Sequence, residues 1–201
     1  MKYTGPKVRI SRALGIPLTP KAAKVMEKKP QPPGEHGRTQ TFRRKLSDYK
    51  RQLVEKQKLR AQYNIHERQL RNYYTKAIKE PGNTGAILLR MLEMRLDAIV
   101  LRGGLARTIY AARQYVSHQH MLVNGKRVDI ASYGVKVGDV ITVKPKSQTL
   151  ECFRDAINDS QPVRYLALDK ATLTITVTAV PQPEEVPIIC DLPQVIEFYS
   201  R

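Results

Sequence analysis

Residues 112–128 read ARQYVSHQHMLVNGKRV, and within this stretch the hydrophobic spacing changes from helical to alternating. Ile109, Ala112 and Val116 recur at intervals of three and four, with Thr108 placed to cap the helix they predict. Beyond His120, Met121 and Val123 alternate towards Asn124-Gly125. That pair favours a two-residue type I′ hairpin turn, because both central positions need positive φ. Lys126-Arg127-Val128 then returns. The stretch therefore predicts a helix ending at two histidines, followed by a basic hairpin.

His118 and His120 could share one face of a strand, yet a metal site needs further ligands. Only His36, His66 and the isolated Cys152 and Cys190 remain, none at a supporting spacing, so no metal is expected. His118 is expected to end the helix, where the dipole favours a cation, and to reach phosphate from there.

Upstream, GAILLRMLEMRLDAIVLRGG (85–104) repeats Leu88, Leu92, Leu96 and Val100 every four residues, backed by Met91 and Ile99. It predicts a helix capped by Thr84 and stopped by Gly103-Gly104, with a tight turn to the next one. Glu93 and Asp97 fall one turn apart on it, but Arg90 and Arg95 flank them, so ion pairing is expected rather than acid–base chemistry. Gly82-Asn83-Thr84-Gly85 reads as a plain cap, with a phosphate held at the helix N-terminus as the alternative. Further upstream, Leu70, Tyr73, Tyr74, Ala77 and Ile78 form one apolar helical face, with Arg68, Arg71, Lys76 and Lys79 off it. Ser47 and Asp48 start an earlier helix, whose body carries a weak apolar stripe and many long cations. Residues 1–45 are basic and interrupted by Gly and Pro; they read as an extended arm that orders against nucleic acid, or as a disordered tail.

Downstream, VKVGDVITVK (135–144) predicts a second turn at Gly138-Asp139 and a strand over 140–143. Residues 145–162 read as soft, with Asp155, Asn158 and the following residues as loop. TLTITVTAV (172–180) alternates as a strand.

The 201-residue chain carries 35 Lys and Arg against 18 Asp and Glu, a net charge of +17. Residues 1–60 are net +13, residues 61–144 net +7 and residues 145–201 net −3. A polyanion is therefore expected to meet the first two-thirds. The N-terminus lacks the apolar core of a signal peptide, and no apolar run approaches the ~20 residues of a membrane span. An intracellular protein with reduced thiols is expected. No nucleophile elbow, P-loop or His-Glu-X-X-His motif occurs. Nucleic-acid binding remains, through cations at fixed spacing on rigid elements. Tyr3, Tyr49, Tyr63, Tyr73 and Tyr74 offer stacking surfaces, with Tyr73 expected in the core.

RLDAIV (95–100) followed by ARQYVSHQHMLVNGKRVDIASYGVKVGD (112–139) closely resembles the RNA-binding module named after the fourth protein of the small ribosomal subunit. The flanks, YTGPKVRISRALG, PPGEHG, EKQKLRAQY, ERQLRNYY, GNTG and the terminal EFYSR, resemble the bacterial ribosomal family itself over essentially the whole chain. The resemblance implies an α+β protein with a helical N-terminal region and basic extended arm, plus a small module of two helices and a short β-sheet. The expected domains are residues 1–90, closed by residues 190–201, and residues 91–189 with the module and a β-rich segment.

It also implies a non-enzymatic, cytoplasmic constituent of the small subunit that binds the 5′ region of its ribosomal RNA and nucleates assembly of the body. Contact with ribosomal protein five and other small-subunit proteins, an influence on accuracy, and a place at the messenger RNA entrance follow from the same source. The expected RNA-binding residues are Arg9, Arg12, His36 and Arg38 in the arm, then Arg43, Arg44 and Lys45. Arg51, Lys56, Lys58, Arg60, Arg68 and Arg71 belong to the helices, and Arg95, Arg107, Arg113, His118, Lys126 and Arg127 to the module. Many relatives hold zinc through N-terminal cysteines; residues 1–45 contain none, so no cofactor is expected. Gly103-Gly104-Leu105 stands where Leu-Gly-Phe is more usual, and Tyr165 where relatives often carry Trp.

Overall fold

The computed structural model describes residues 3, 5–37, 47–158 and 161–200. The chain divides into two compact units, Met1–Gly85 with Ile188–Arg201, and Ala86–Pro187.

The regular secondary structure among the described residues of the first unit is helical. α1 (Lys7–Leu14) and α2 (Pro20–Lys28) occupy the segment expected to be an extended arm. Two of the prolines sit at helix starts, and Pro17, Pro30, Pro32 and Pro33 lie outside the two helices. Pro6 is the α1 N-cap residue and Pro20 opens α2, where its fixed φ suits the first turn and Thr19 Oγ1 accepts from Ala22 N–H at 3.1 Å. Gly15, at φ 71°, ends α1 in the left-handed conformation. Ile16 and Ala22 are buried between these helices and their surroundings.

α3 (Asp48–Gln62) starts at Ser47, whose Oγ accepts from Lys50 N–H. α4 (Glu67–Lys79) buries Leu70, Tyr74 and Ala77. Ile78, expected on that face, is 55% exposed, and Tyr73 is half-buried, because the inward arc is narrower than the apolar stripe. The C-terminal α9 (Leu192–Ser200) packs along α3. The weak stripe of α3 becomes intelligible there: it buries Gln52 and Lys56 beside Leu59, and α4 and α9 supply polar partners. Gln52 Nε2 donates to Glu197 Oε2 at 2.8 Å, and Lys56 Nζ to Glu67 Oε1 at 2.8 Å while lying 4.2 Å from the Phe198 ring.

In the second unit, the helix expected over 85–104 is two. α5 (Thr84–Glu93) and α6 (Leu96–Arg102) are separated at Met94–Arg95. Arg95 is extended (φ −80°, ψ 144°) and bridges Gly134, with Val135 N–H donating to Met94 O and Leu96 N–H to Tyr133 O. Backbone pairing with a distant loop outweighs helical propensity. The α5 start also differs from expectation: Asn83 Oδ1, not Thr84, accepts from Gly85 N–H at 2.9 Å. α7 (Ile109–Ser117) is capped by Thr108 and buries Ile109, Ala112 and Val116, as the spacing predicts. A Cβ on Gly103 would lie 2.2 Å from Ile175 Cδ1, so a side chain in the α6–α7 turn would have to displace the buried Ile175 side chain, which the sheet contributes.

The sheet is antiparallel with order β2-β1-β3-β5-β4, comprising β1 (Met121–Val123), β2 (Lys126–Arg127), β3 (Val140–Val143), β4 (Leu166–Asp169) and β5 (Thr174–Val177). Asn124 and Gly125 adopt φ 50° and 75°, and Val123 faces Lys126, the expected hairpin. Two elements were not legible. α8 (Glu151–Asn158) replaces the expected loop and buries Phe153, Ala156 and Ile157 at i, i+3 and i+4; β4 pairs with β5 as a hairpin.

Candidate nucleic-acid interface

In the first unit, α4 turns Arg68, Arg71, Lys76 and Lys79 outward, opposite its buried face. Arg9, His36 and Arg51 are also exposed; Arg51 pairs with Asp48 one turn earlier on the open surface. Lys21, Lys24 and Lys28 line the outside of α2. They are absent from the expected set, although their i, i+3, i+7 spacing after a Thr-Pro start is a usable signal.

Other expected contacts in this unit are committed internally. Arg12 Nε donates to Lys29 O at 3.1 Å and Gln31 O at 3.0 Å, and Nη2 to Pro32 O at 3.4 Å, so it ties α1 to the loop after α2. Lys56 is buried against Glu67 and Phe198, and half-buried Lys58 pairs with Glu55 at 2.7 Å. Arg60 is half-buried near Glu67. Tyr63 and Tyr74 are core residues rather than stacking surfaces, while Tyr3 and Tyr49 are exposed. Arg38, Arg43, Arg44 and Lys45 lie outside the described residues.

In the second unit, Lys126 and Arg127 are exposed at the hairpin. The hairpin tip is fixed to the turn before β3: Asn124 Nδ2 donates to Asp139 Oδ1 at 2.8 Å, Asn124 Oδ1 accepts from Val140 N–H at 2.9 Å, and Asp139 Oδ2 accepts from Lys136 N–H at 2.8 Å. Arg127 Nη1 donates to Gln119 Oε1 at 3.1 Å, so the junction between the histidines helps orient a hairpin cation. Lys136, absent from the expected set, is exposed beside that turn. Arg107 is exposed, with Nη2 donating to Asp155 O at 3.2 Å.

Arg95 and Arg113 require correction. Their spacing matched a basic surface, but they are 1% and 9% exposed. Arg95 Nε and Nη2 donate to Asp97 at 2.9 and 2.7 Å, Arg113 Nη1 donates to the same carboxylate at 3.0 Å, and Asp97 also accepts from Ala98 N–H. Buried charges persist when paired and hydrogen-bonded. Glu93 likewise accepts from Arg102 at 2.9 Å and from the buried Tyr165 hydroxyl at 2.8 Å. Burial, and then the Glu93 carboxylate, push the Tyr165 hydroxyl well above its ordinary pKa. Glu93 and Asp97 therefore neutralise internal arginines, which removes acid–base chemistry from their role.

His118 caps α7, its backbone N–H donating to Gln114 O at 2.8 Å, with the ring exposed. His120 Nδ1 lies 2.9 Å from Ser147 Oγ, and the two imidazole centroids are 6.1 Å apart. Burial, with His118 and Lys144 nearby, lowers the His120 pKa. Among the described residues no group of three or more His, Cys, Asp and Glu converges as a metal site. No described helix is long and apolar enough to cross a membrane.

Two family descriptions match the chain: the ribosomal protein S4/S9 N-terminal domain over residues 2–93, and the S4 domain over residues 94–141. The relatives include a Thermobifida fusca protein, 48% identical over 100% of both chains, and one from Bifidobacterium animalis subsp. lactis, 52% identical over 97% of each. A third, from Streptomyces avermitilis, is 49% identical over 98% of this chain and 97% of its own. Each carries the name small ribosomal subunit protein uS4.

Proposed function

The chain belongs to the uS4 family of small-subunit ribosomal proteins, and on that premise we propose that it is a primary binder of the 5′ region of small-subunit ribosomal RNA and nucleates assembly of the subunit body. As a family member it is a structural, RNA-binding and non-enzymatic constituent of the small ribosomal subunit in the bacterial cytoplasm. Contact with ribosomal protein five, an influence on decoding accuracy and a share in lining the messenger RNA entrance complete the proposal.

The observation that carries it is the segregation of charge. Glu93, Asp97 and Glu67 are each bonded to cations or tyrosine hydroxyls within their own unit. The cations of α4 and of the β1–β2 hairpin face outward. A polyanion meeting these surfaces gains counterion-release free energy. Rigid elements hold the cations at fixed positions, which suits recognition of folded RNA by shape. The contributing residues in this reading are Arg9, Arg51, Arg68, Arg71, Arg107, His118, Lys126 and Arg127, together with Arg38, Arg43, Arg44 and Lys45.

Order-of-addition reconstitution tests the reading. Purified chain is added to naked small-subunit ribosomal RNA before or after the other small-subunit proteins. Early, independent binding followed by recruitment of later proteins is expected. Binding that requires a full complement of prior proteins refutes a nucleating role.

A further inference from the structure

The segment after the basic hairpin presents three large apolar side chains to solvent: Ile130 at 58%, Tyr133 at 39% and Val137 at 48% exposed. The backbone that carries them is hydrogen-bonded to the rest of its unit. Asp97 N–H donates to Ala131 O at 3.2 Å, Leu96 N–H to Tyr133 O at 2.9 Å, Val135 N–H to Met94 O at 2.8 Å, and Tyr133 N–H to Ile130 O at 3.0 Å. The break between α5 and α6 supplies the groups for three of these bonds, so helical continuity is given up where the loop is anchored. At its far end the loop is clamped by Asp139, which accepts from Lys136 N–H and from Asn124 of the hairpin turn. Tyr133 thus stands exposed on a backbone fixed at both ends, on a loop that begins beside Lys126 and Arg127 and also carries exposed Lys136.

We propose that Tyr133 is a stacking platform for an unpaired base of the bound RNA, with Lys126, Arg127 and Lys136 engaging the adjoining phosphates. The proposal rests on the RNA-binding reading above and adds a specific residue to it. An exposed aromatic side chain on a bonded backbone, in a segment that also carries exposed cations, suits an unstacked nucleotide, because every base has a π face and the adjoining phosphates can meet the cations. A purely apolar protein partner is disfavoured by the exposed Lys126, Arg127 and Lys136 of the same chain segment, since interface cores are depleted of such charges. The bonds that fix the loop at Tyr133 use its main chain, so changing its side chain leaves them in place.

The experiment uses the full chain, a cognate fragment of small-subunit ribosomal RNA, and a scrambled RNA of equal length. Tyr133→Phe and Tyr133→Trp are expected to retain cognate affinity. Tyr133→Ala and Tyr133→Leu are expected to lose about fivefold to a hundredfold for the cognate fragment, with scrambled binding little changed and the thermal midpoint preserved. The chain contains no tryptophan, so the emission of Tyr133→Trp reports this position alone and should be quenched on cognate binding. Wild-type affinity in Tyr133→Ala, full affinity in Tyr133→Leu, or unquenched emission each overturns stacking. Normal RNA affinity of Tyr133→Ala with failed incorporation into small subunits would assign the loop to a protein partner instead. If wild type itself does not distinguish the two RNAs, the ribosomal RNA reading fails and the stacking site falls with it.

Discussion

Asn124 and Asp139 hold one another across two turns, Nδ2 to Oδ1 at 2.8 Å, while Asn124 Oδ1 accepts from Val140 N–H. This bond fixes the Asn-Gly tip to the head of β3, and with it the position of Lys126 and Arg127.

Gly125→Val should distort this tip. Gly125 has φ 75° and a Cβ there meets nothing within 4 Å, so the cost is conformational rather than steric. A β-branched residue in that region costs on the order of 1–3 kcal/mol. Urea denaturation should show that loss. Binding to cognate ribosomal RNA should weaken more than binding to a scrambled RNA, since no charge is removed. Equal proportional losses would show that the hairpin does not recognise specifically.

Asp97→Asn should be among the most destabilising single changes in the second unit. It leaves the guanidinium groups of Arg95 and Arg113 buried without their anion, at a cost of about 3–5 kcal/mol. Lys126→Ala, at an exposed position, should stay within about 0.5 kcal/mol of wild type. Chemical denaturation compares them, and a mild effect of Asp97→Asn would mean that water reaches the arginines.

The triple variant Arg68→Ala, Arg71→Ala, Lys79→Ala removes exposed cations from α4. The slope of log K against log salt should fall by roughly one for each phosphate that is no longer neutralised. Affinity for all RNAs should drop while the fold is kept. An unchanged slope would take α4 off the binding surface.

Glu67 links α3, α4 and α9. Burial pushes its carboxyl up, but hydrogen bonds from Lys56 and Tyr199, with the Lys56 and Arg60 charges, pull it down further, and the net result lies below the ordinary 4.5. A folded pKa below the unfolded one contributes stability that is present above about 4.5 and lost as pH falls through the folded value. Glu67→Gln should therefore be less stable than wild type at neutral pH, with the gap closing below that window. Urea midpoints across the acid range check this, and a gap independent of pH would assign the effect to packing.

What the sequence determined by itself was local. The hairpin at Asn124-Gly125 follows from the φ values that this turn demands of two adjacent residues, and Ser47 and Thr108 cap helices because their side chains reach backbone donors nearby. The helical face of α4 was legible in its Leu70, Tyr74 and Ala77. Tertiary structure decided the rest. Prolines that looked like breakers became helix starts in α1 and α2, since a proline's effect depends on which side of the boundary it falls. The long helix was interrupted at Arg95 because a loop far along the chain, at Gly134, offered backbone pairing. Phe153, Ala156 and Ile157 are buried by α8, with Phe153 against Tyr115 of α7 at 4.8 Å between ring centroids, a surface that local sequence does not reveal. Above all, sequence cannot sort surface cations from buried ones. Arg95, Arg113, Lys56 and Arg12 carry the same charge as Lys126 and Arg127, but packing brings Asp97, Glu67 and free carbonyls against the first four and leaves the hairpin pair facing outward.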